Sequence, residues 1–437
     1  MDIMENLNYY ESERYEQNER MSLYECIQKI MKEDHYRERQ DFEILQTARD
    51  VAKYLIQSTY TSNSYYQSYI QNRRNQVELS SFHIEDSQTF RCNVSLKLPS
   101  PIETFQIHHK KPQEMPPHRI LVTLDEDLGK ADRVYQKCIW EDCVDEESVL
   151  RPDYVLKWFN KGIIATCEEV KIEGNRQRLN RELECDYFET KTETRKDGTI
   201  CVHVSIGKEE SYPTNFTINF VPSLPLKELP KQIRLRAPFP DRSEYVGRRD
   251  KFIKAILKGI KSDAVPLCLE ARVWLPYNTV GLDQSIGVTW AVSCSALEEK
   301  AFQDIRNAPN QTNLGNVIIL MDRIKQNHIM GLHPVTRSLI QNAIFHIYRM
   351  NLEKVQRVDQ WFLKVMKLIA NQLKGYCAPC FFMNSKNILE DWDLAFVQWM
   401  GKEMEKIIRR LKKKPISLLD YIGTNKGPGF WSDTANG

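Results

Sequence analysis

One segment limits the fold of this chain more than any other, because it alternates apolar and polar residues at every step. It runs from Phe90 to Leu98 (FRCNVSLKL) and is followed by Pro99. Successive side chains of a β-strand point to opposite faces, so the pattern predicts a half-buried strand with one apolar and one polar face. Residues 200–206, after an Asp197-Gly198 turn signal, and residues 216–220 alternate in the same way. We expect these three segments to be neighbouring strands of one antiparallel sheet.

Helical periodicity flanks this strand-rich region. Apolar residues spaced three or four apart over 23–31 and 42–55 predict two amphipathic helices before the sheet. Beyond about residue 250, apolar stripes over 252–260 and 361–373 predict further helices. One strand pair, 272–275 with 287–293, is expected to interrupt that half. Strands followed by helices predict an α+β chain.

Composition suggests where the chain divides. Residues 1–20 are polar and are expected to be a flexible leader, and residues 423–437 carry four glycines and are expected to be a flexible tail. Residues 21–250 should form the N-terminal helices and a sheet lobe, and residues 251–422 a mainly helical lobe. Two lobes suit a chain of 437 residues, because single cores stop growing at roughly 250–300 residues.

Charge and cysteine usage exclude several classes of protein. Lys and Arg number 61 against 59 acidic residues, so bulk charge gives no argument for nucleic-acid or membrane binding. The sequence has no apolar run long enough for a membrane span and no signal-peptide pattern. Eleven scattered cysteines do not make a secreted disulfide framework. We therefore expect an intracellular, cytoplasmic protein, and the nucleus stays open as a second location.

Three separated regions carry a family resemblance through their order and spacing. Residues 89–99 (TFRCNVSLKLP) are similar to a family strand with Phe, acid-x-acid and Leu-Lys-Leu-Pro, and residues 216–222 (FTINFVP) to a strand with one acid and Val-Pro. The third region comprises residues 290–298, 343–346 and 380–389 of the helical half. Together, over roughly residues 40–400, they resemble the Mab-21-like proteins and the cyclic GMP-AMP synthase-like receptors.

The resemblance implies a bilobal nucleotidyltransferase fold, in which a mixed sheet lobe packs on a helical lobe beside a nucleotide cleft. Active members bind two divalent cations through two acids on one strand and a third on its neighbour. The matching positions here are Arg91, Asn93 and Asn219, so all three acids are replaced. A guanidinium opposes cation binding. The resemblance therefore implies a pseudoenzyme without catalytic residues, bound metal or cofactor.

The vacated positions leave alternatives open. Arg91 could bind a phosphate or another acidic ligand, or it could pair with an acid and close the cleft. The family's Gly-Ser phosphate loop has its nearest match at Ser80-Ser81, with a shortened interval to Phe90. Glu85 and Asp86 could replace the missing acids, but we expect them to stand in a turn.

Ser295 and Glu298 match positions at which active relatives contact the triphosphate, and are candidate ligand-binding residues with Arg91. The alternative, which the spacing favours, is an ordinary capping box, a helix-capping Ser with Glu three residues later.

Two further motifs have structural and functional interpretations. Cys377-Ala-Pro-Cys380 has zinc-ligand spacing if His328 and His333 approach it, but two buried structural thiols are the favoured interpretation. A basic run at a predicted helix end is typical of a solvated helix C-terminus. Alternatively it serves nuclear import, or it binds nucleic acid together with Lys110-Lys111. The run comprises Arg409, Arg410, Lys412, Lys413 and Lys414.

Three functions are consistent with these observations. The first is a non-catalytic scaffold or regulator that binds a protein partner and, at Arg91, a nucleotide or other phosphate ligand. The second is an active receptor that makes a dinucleotide after sensing nucleic acid. The third is a nucleic-acid-binding protein without catalysis.

Overall fold

The structure is a computed structural model, and it describes most of the chain between residues 21 and 422. The described ranges are 21–62, 64–73, 76–77, 79–86, 88–97, 105–108, 119–124, 143–146, 149–172, 183–208, 214–226, 267–272, 289–306, 313–327, 332, 334–350, 357–383 and 386–422. Several sequence predictions lie outside the described residues: the leader, the tail, the helix over 252–260, the lobe boundary at 250, Lys110-Lys111, His328 and His333.

Strands outnumber helices in the first half of the described chain, and helices predominate in the second half. The helices are α1 (Leu23–Ser62), α2 (Ser64–Tyr69), α3 (Pro152–Val170), α4 (Ser295–Arg306), α5 (Asn313–Asn327), α6 (Arg337–Met350), α7 (Val358–Lys374), α8 (Leu394–Lys413) and α9 (Ser417–Ile422). The strands are β1 (Asn72–Arg73), β2 (Gln76–Val77), β3 (Leu79–Asp86), β4 (Thr89–Ser95), β5 (Phe105–His108), β6 (Arg119–Leu124), β7 (Tyr187–Thr194), β8 (Ile200–Gly207), β9 (Thr214–Leu226), β10 (Leu267–Glu270) and β11 (Trp290–Ser293). The α+β class is confirmed.

Most of the described strands belong to one mixed sheet. Its order is β3-β4-β9-β10-β11-β6-β5, and the β7–β8 hairpin joins it through β9. The β8–β9 pair is antiparallel, as predicted. The β4–β9 pair is parallel, with Arg91 opposite Asn219, so the prediction of a purely antiparallel arrangement was wrong. The long connection between the two strands permits a crossover, which a parallel pair requires.

Strand β4 is buried on both faces. Phe90, Cys92 and Val94 form its apolar face, and their partners Ile218 and Phe220 on β9 are also fully covered. The polar face is buried too, since every β4 residue after Thr89 is almost entirely covered. The predicted half-buried strand was therefore wrong. A polar face can be buried only where its groups find partners within the protein.

The turn of the β7–β8 hairpin follows its sequence signal. Gly198 adopts a φ of 80°, a conformation that glycine tolerates because it has no Cβ. The Gly198 amide donates to the Arg195 carbonyl at 3.0 Å, and the Arg195 amide donates to the Thr199 carbonyl at 2.8 Å. The turn places Asp197 next to the end of β7.

Two element predictions need correction. The expected pair of N-terminal helices is one continuous helix, α1, because the polar stretch over 32–41 contains neither Pro nor Gly to interrupt it. The expected strand over 272–275 lies earlier, at β10, where Glu270 pairs with Ala291 of β11. Residues 273–288 lie outside the described part of the chain.

The chain divides into two compact units. The sheet unit comprises residues 41–301 and 379–391, and the helical unit comprises residues 1–40, 302–378 and 392–437. In the helical unit α7 buries the predicted stripe, which includes Trp361, Phe362 and Ile369. At Gly401 of α8 the two helices approach closely, and an added Cβ would lie 2.7 Å from the Lys374 amide nitrogen. Among the described helices, none is long and apolar enough to cross a membrane.

Candidate functional site

The structure brings Arg91, Asn93 and Asn219 together on the polar face of the sheet. Arg91 and Asn93 are two residues apart on β4, and Asn219 is the register partner of Arg91 on β9. Only 7% of Arg91, none of Asn93 and 1% of Asn219 is exposed. The three positions that match the family's acids are therefore adjacent and enclosed, not a solvated strand surface.

Glu270, on β10, occupies the centre of this face. One of its carboxylate oxygens accepts from Arg91 Nη2 at 2.5 Å, and the other accepts from Asn93 Nδ2 at 2.9 Å. Arg91 Nε also donates to Asn93 Oδ1 at 3.3 Å. The side chain of Glu270 is 5% exposed. Both oxygens of this buried carboxylate are thus engaged by the two residues of β4.

Glu85 supplies a second carboxylate, from the opposite side of β4. The residue belongs to strand β3, so the expectation that it stands in a turn was wrong. The β3–β4 register shifts between Ile84 and Asp86, a β-bulge that inserts Glu85 as an extra residue facing Arg91. Its Oε1 lies 3.6 Å from Arg91 Nη1, and its Oε2 accepts from the amide of Asn219. The side chain of Asp86 lies outside the described atoms.

Two further arginines and a third acid complete the cluster. Arg195, which follows β7, lies 3.4 Å from Glu85 Oε2. Arg272, just after β10, donates through Nε and Nη2 to Asp197 Oδ2 at 3.0 and 2.9 Å. Three guanidiniums and three carboxylates therefore balance one another. We call these six residues the ion-pair network: Glu85, Arg91, Arg195, Asp197, Glu270 and Arg272.

The network keeps its acids ionised. Burial alone would raise the pKa of Glu270, but the guanidiniums of Arg91 and Arg272 outweigh it and hold the pKa at about 2. Burial would also raise the pKa of Asp197, but Arg272 lowers it below the ordinary value. At Glu85, Arg91 and Arg195 outweigh burial in the same way and lower the pKa. The three groups are therefore carboxylates at neutral pH, and each charge has a partner.

The amide oxygens on this face are also engaged. Asn93 Oδ1 accepts from Arg91, and Asn219 Oδ1 accepts from the Cys201 thiol at 2.6 Å. Burial raises the pKa of Cys201 to about 11, so this group remains a protonated donor. Of the two roles open to Arg91, pairing with an acid is the one found here. A phosphate at Arg91 would have to displace Glu270 or Glu85.

Ser295 and Glu298 lie at the start of α4, near the partners Ser293 and Cys380. Ser295 is the first helical residue, and its amide donates to Ser293 Oγ at 3.3 Å. The Glu298 amide donates to the Cys294 carbonyl at 2.8 Å, so the expected capping box, with Ser295 as the cap, was wrong. Glu298 Oε1 accepts from the Cys380 thiol at 3.5 Å.

The two cysteines of the Cys377–Cys380 motif have different environments. Cys380 is buried, and burial raises its pKa to about 12, whereas Cys377 is exposed. The expectation that both thiols are buried was therefore wrong for Cys377. In the part of the chain that the structure describes, no three His, Cys, Asp or Glu side chains are arranged to hold a metal ion.

The basic run occupies the predicted helix end. Its five cations are exposed around the buried Leu411 at the C-terminal end of α8 and just beyond it. They are Arg409, Arg410, Lys412, Lys413 and Lys414. Arg410 lies 4.0 Å from Asp420 and above the ring of Tyr421. The remaining cations form a local basic surface, which is favourable at a helix C-terminus.

Sequence reasoning missed the partners of Arg91. One signal was available, because Glu270 stands in the otherwise apolar run Leu267–Ala271 (LCLEA). An acid within a buried strand requires a compensating cation. Asp197 and Arg272 gave no comparable signal, since one was interpreted only as part of a turn and the other only as a strand residue.

In comparisons with known proteins, no family model matches this chain and no curated protein matches it. The interpretation of the site therefore depends on its own geometry and charge.

Proposed function

We propose that this chain is a catalytically inactive, nucleotidyltransferase-like protein that acts inside the cell as a scaffold or regulator by binding a protein partner. The observation that supports it best is the ion-pair network. At the positions where the family pattern requires three acids, this chain has a guanidinium and two amides, all bonded to neighbouring side chains.

Charge argues against catalysis at this face. Two-metal nucleotidyl transfer needs several carboxylates whose oxygens are available to hard dications. In the network each carboxylate is matched by an arginine, and Arg91 contacts two of them. A dication that bound Glu270 would replace the contact of 2.5 Å between Glu270 and Arg91. It would then lie beside the guanidinium of Arg91, which would have lost that partner. Repulsion in a buried site makes that exchange unfavourable.

The same contacts suggest a structural role for the vacated site. Glu85, Arg91, Asn219 and Glu270 connect β3, β4, β9 and β10 through their side chains. Buried ion pairs contribute little net stability compared with apolar packing, but breaking one is costly. We infer that the network fixes the pairing of these strands, while function resides on other surfaces of the chain.

An enzymatic assay tests the proposal. Purified protein is incubated with ATP, GTP, Mg²⁺ or Mn²⁺ and long duplex nucleic acid, and products are separated by chromatography. We expect no dinucleotide. A product that disappears in Glu85→Gln but persists in Glu405→Gln, an acid paired with Lys374 outside the network, would refute the proposal.

A second candidate function, nucleic-acid binding without catalysis, is favoured by the cluster of cations at the end of α8. Neutralising phosphates releases counterions, so affinity should fall steeply with salt. Mobility shifts with duplex nucleic acid test it. Reversing Lys412 and Lys413 to Glu should abolish the shift, whereas reversing Lys402 on the same helix should not.

A further inference from the structure

Strand β7 forms an edge of the sheet. It pairs with β8 on one side, and among the described residues no strand pairs with its other side. An edge strand presents unpaired N–H and C=O groups that can add another strand. Helix α3 lies beside this edge, where Asn160 Nδ2 donates to the Gly198 carbonyl at 2.8 Å and so fixes the helix on the β7–β8 turn. Helix α3 packs against both β7 and β9, so it covers one face of the sheet next to this edge.

Exposed apolar side chains lie on α3 and just beyond it. Tyr154 and Ile164 of α3 are 40% and 38% exposed, and Ile172 just after α3 is 61% exposed. Single exposed apolar residues are ordinary, but a cluster of them marks an interaction site. Across the described chain only two other large apolar side chains are comparably exposed, Tyr187 and Leu394.

A groove of about 410 Å³ runs between α3 and the β7–β8 turn, and its walls are mainly apolar. Its lining includes Asp153, Leu156, Lys157, Lys161, Ile164 and Thr194, and the charge of Asp153 is paired with Arg151 at 2.9 Å. Asn160 is 7% exposed, and its Oδ1 is buried without a hydrogen-bond partner in the described structure.

Among the described residues, the two lysines of the groove have no ion-pair partner. Lys157 and Lys161 are one helical turn apart and exposed, and neither forms an ion pair with a described residue. By contrast, Lys171, just after the same helix, pairs with Glu168 at 2.7 Å. The groove therefore presents a positive rim beside an apolar floor, which is complementary to an aliphatic and acidic ligand.

We propose that the groove and the β7 edge are the docking site for an extended segment of a partner protein, which adds to β7 as a further strand. Alternate side chains of an added strand point to one face. The face toward α3 would carry aliphatic residues against Ile164 and carboxylates beside Lys157 and Lys161. This inference rests on the proposed function, because it names the surface through which a protein partner is bound.

The test is a selection from a library of random short peptides on the full-length protein, with counter-selection on the Lys157→Glu/Lys161→Glu variant. We expect enriched peptides in which every second residue is aliphatic or acidic. By fluorescence anisotropy such a peptide should bind about tenfold more weakly to that variant, because two attractive charge pairs become repulsive. Binding to Lys402→Glu, a reversal of an exposed lysine on α8, should be unchanged.

Two controls distinguish strand addition from other occupants. The backbone nitrogens of the peptide form two alternating sets, and methylating the set that pairs with β7 should abolish binding. The bound peptide should also slow hydrogen exchange at β7. Peptides enriched at helical spacing, or binding that survives both methylation patterns, would overturn strand addition. A concentration-dependent dimer that blocks the peptide would assign the edge to a second copy instead, and a selection without enrichment would also refute the proposal. Dinucleotide synthesis is measured separately, so failure here leaves the test of the inactive site intact.

Discussion

The substitution Glu270→Gln removes one charge from the ion-pair network while almost preserving side-chain shape. Glu270 is 4% exposed and contacts Arg91 at 2.5 Å and Asn93 at 2.9 Å. The neutral amide leaves Arg91 buried with less compensation. Its remaining acid, Glu85, lies farther away, at 3.6 Å.

The expected loss follows from the cost of breaking a buried ion pair, which is about 3–5 kcal/mol when one partner is removed. Because Glu85 still neutralises part of the Arg91 charge, we expect about 3 kcal/mol. Arg91→Met should cost a similar amount, since it leaves Glu270 unpaired. The double variant should lose less than the sum of the two single variants, with a coupling of about 2 kcal/mol.

Urea-induced unfolding, followed by circular dichroism, measures these free energies from the transition midpoint and slope. Glu405→Gln is the matched control, because Glu405 of α8 pairs with Lys374 outside the network and both side chains are more exposed, at 37% and 36%. Its midpoint should stay at the wild-type value. A loss below about 0.5 kcal/mol for Glu270→Gln, or strict additivity in the double variant, would refute the account of the network.

Three further predictions concern pH and packing. The pKa of Glu270 falls from 4.5 to about 2 on folding, so the carboxylate stabilises the fold above pH 4.5 and loses this effect as the pH falls toward 2. The difference in unfolding free energy between wild type and Glu270→Gln should therefore narrow from about pH 5 to about pH 3 in urea titrations. Gly401→Ala should lower the unfolding free energy by about 1–3 kcal/mol, because the new Cβ would lie 2.7 Å from the Lys374 amide nitrogen, whereas Gly375→Ala, whose nearest atom is at 3.3 Å, should change little. Gly198→Ala should cost about 1–2 kcal/mol in the same assay, because φ is 80° there.

Local patterns were sufficient to predict much of the fold. The alternation over 200–206 and 216–220 identified β8 and β9, and the glycine at 198 identified the turn that precedes β8. The apolar stripe of α7 was also predicted correctly. These features depend on neighbours a few residues apart, which is the range over which side-chain periodicity carries information.

The features that the sequence did not predict depend on distant residues. Arg91 and Glu270 are 179 positions apart, so no spacing rule relates them. The parallel pairing of β4 with β9 likewise depends on a crossover, not on the pattern of either strand. The polar face of β4 was expected to be solvated because its partners could not be identified. Glu85 was misplaced because a bulge interrupts the alternation on β3.

Product analysis with labelled ATP and GTP, in Mn²⁺ and in the presence of duplex nucleic acid, tests the central claim most directly. If the strand positions that resemble metal-binding acids hold a closed ion-pair network instead, wild type, Glu85→Gln and Glu270→Gln should all yield no nucleotidyl-transfer product. A dinucleotide made by wild type and lost in either variant would show that these carboxylates leave their arginines to bind metal, and would contradict the account.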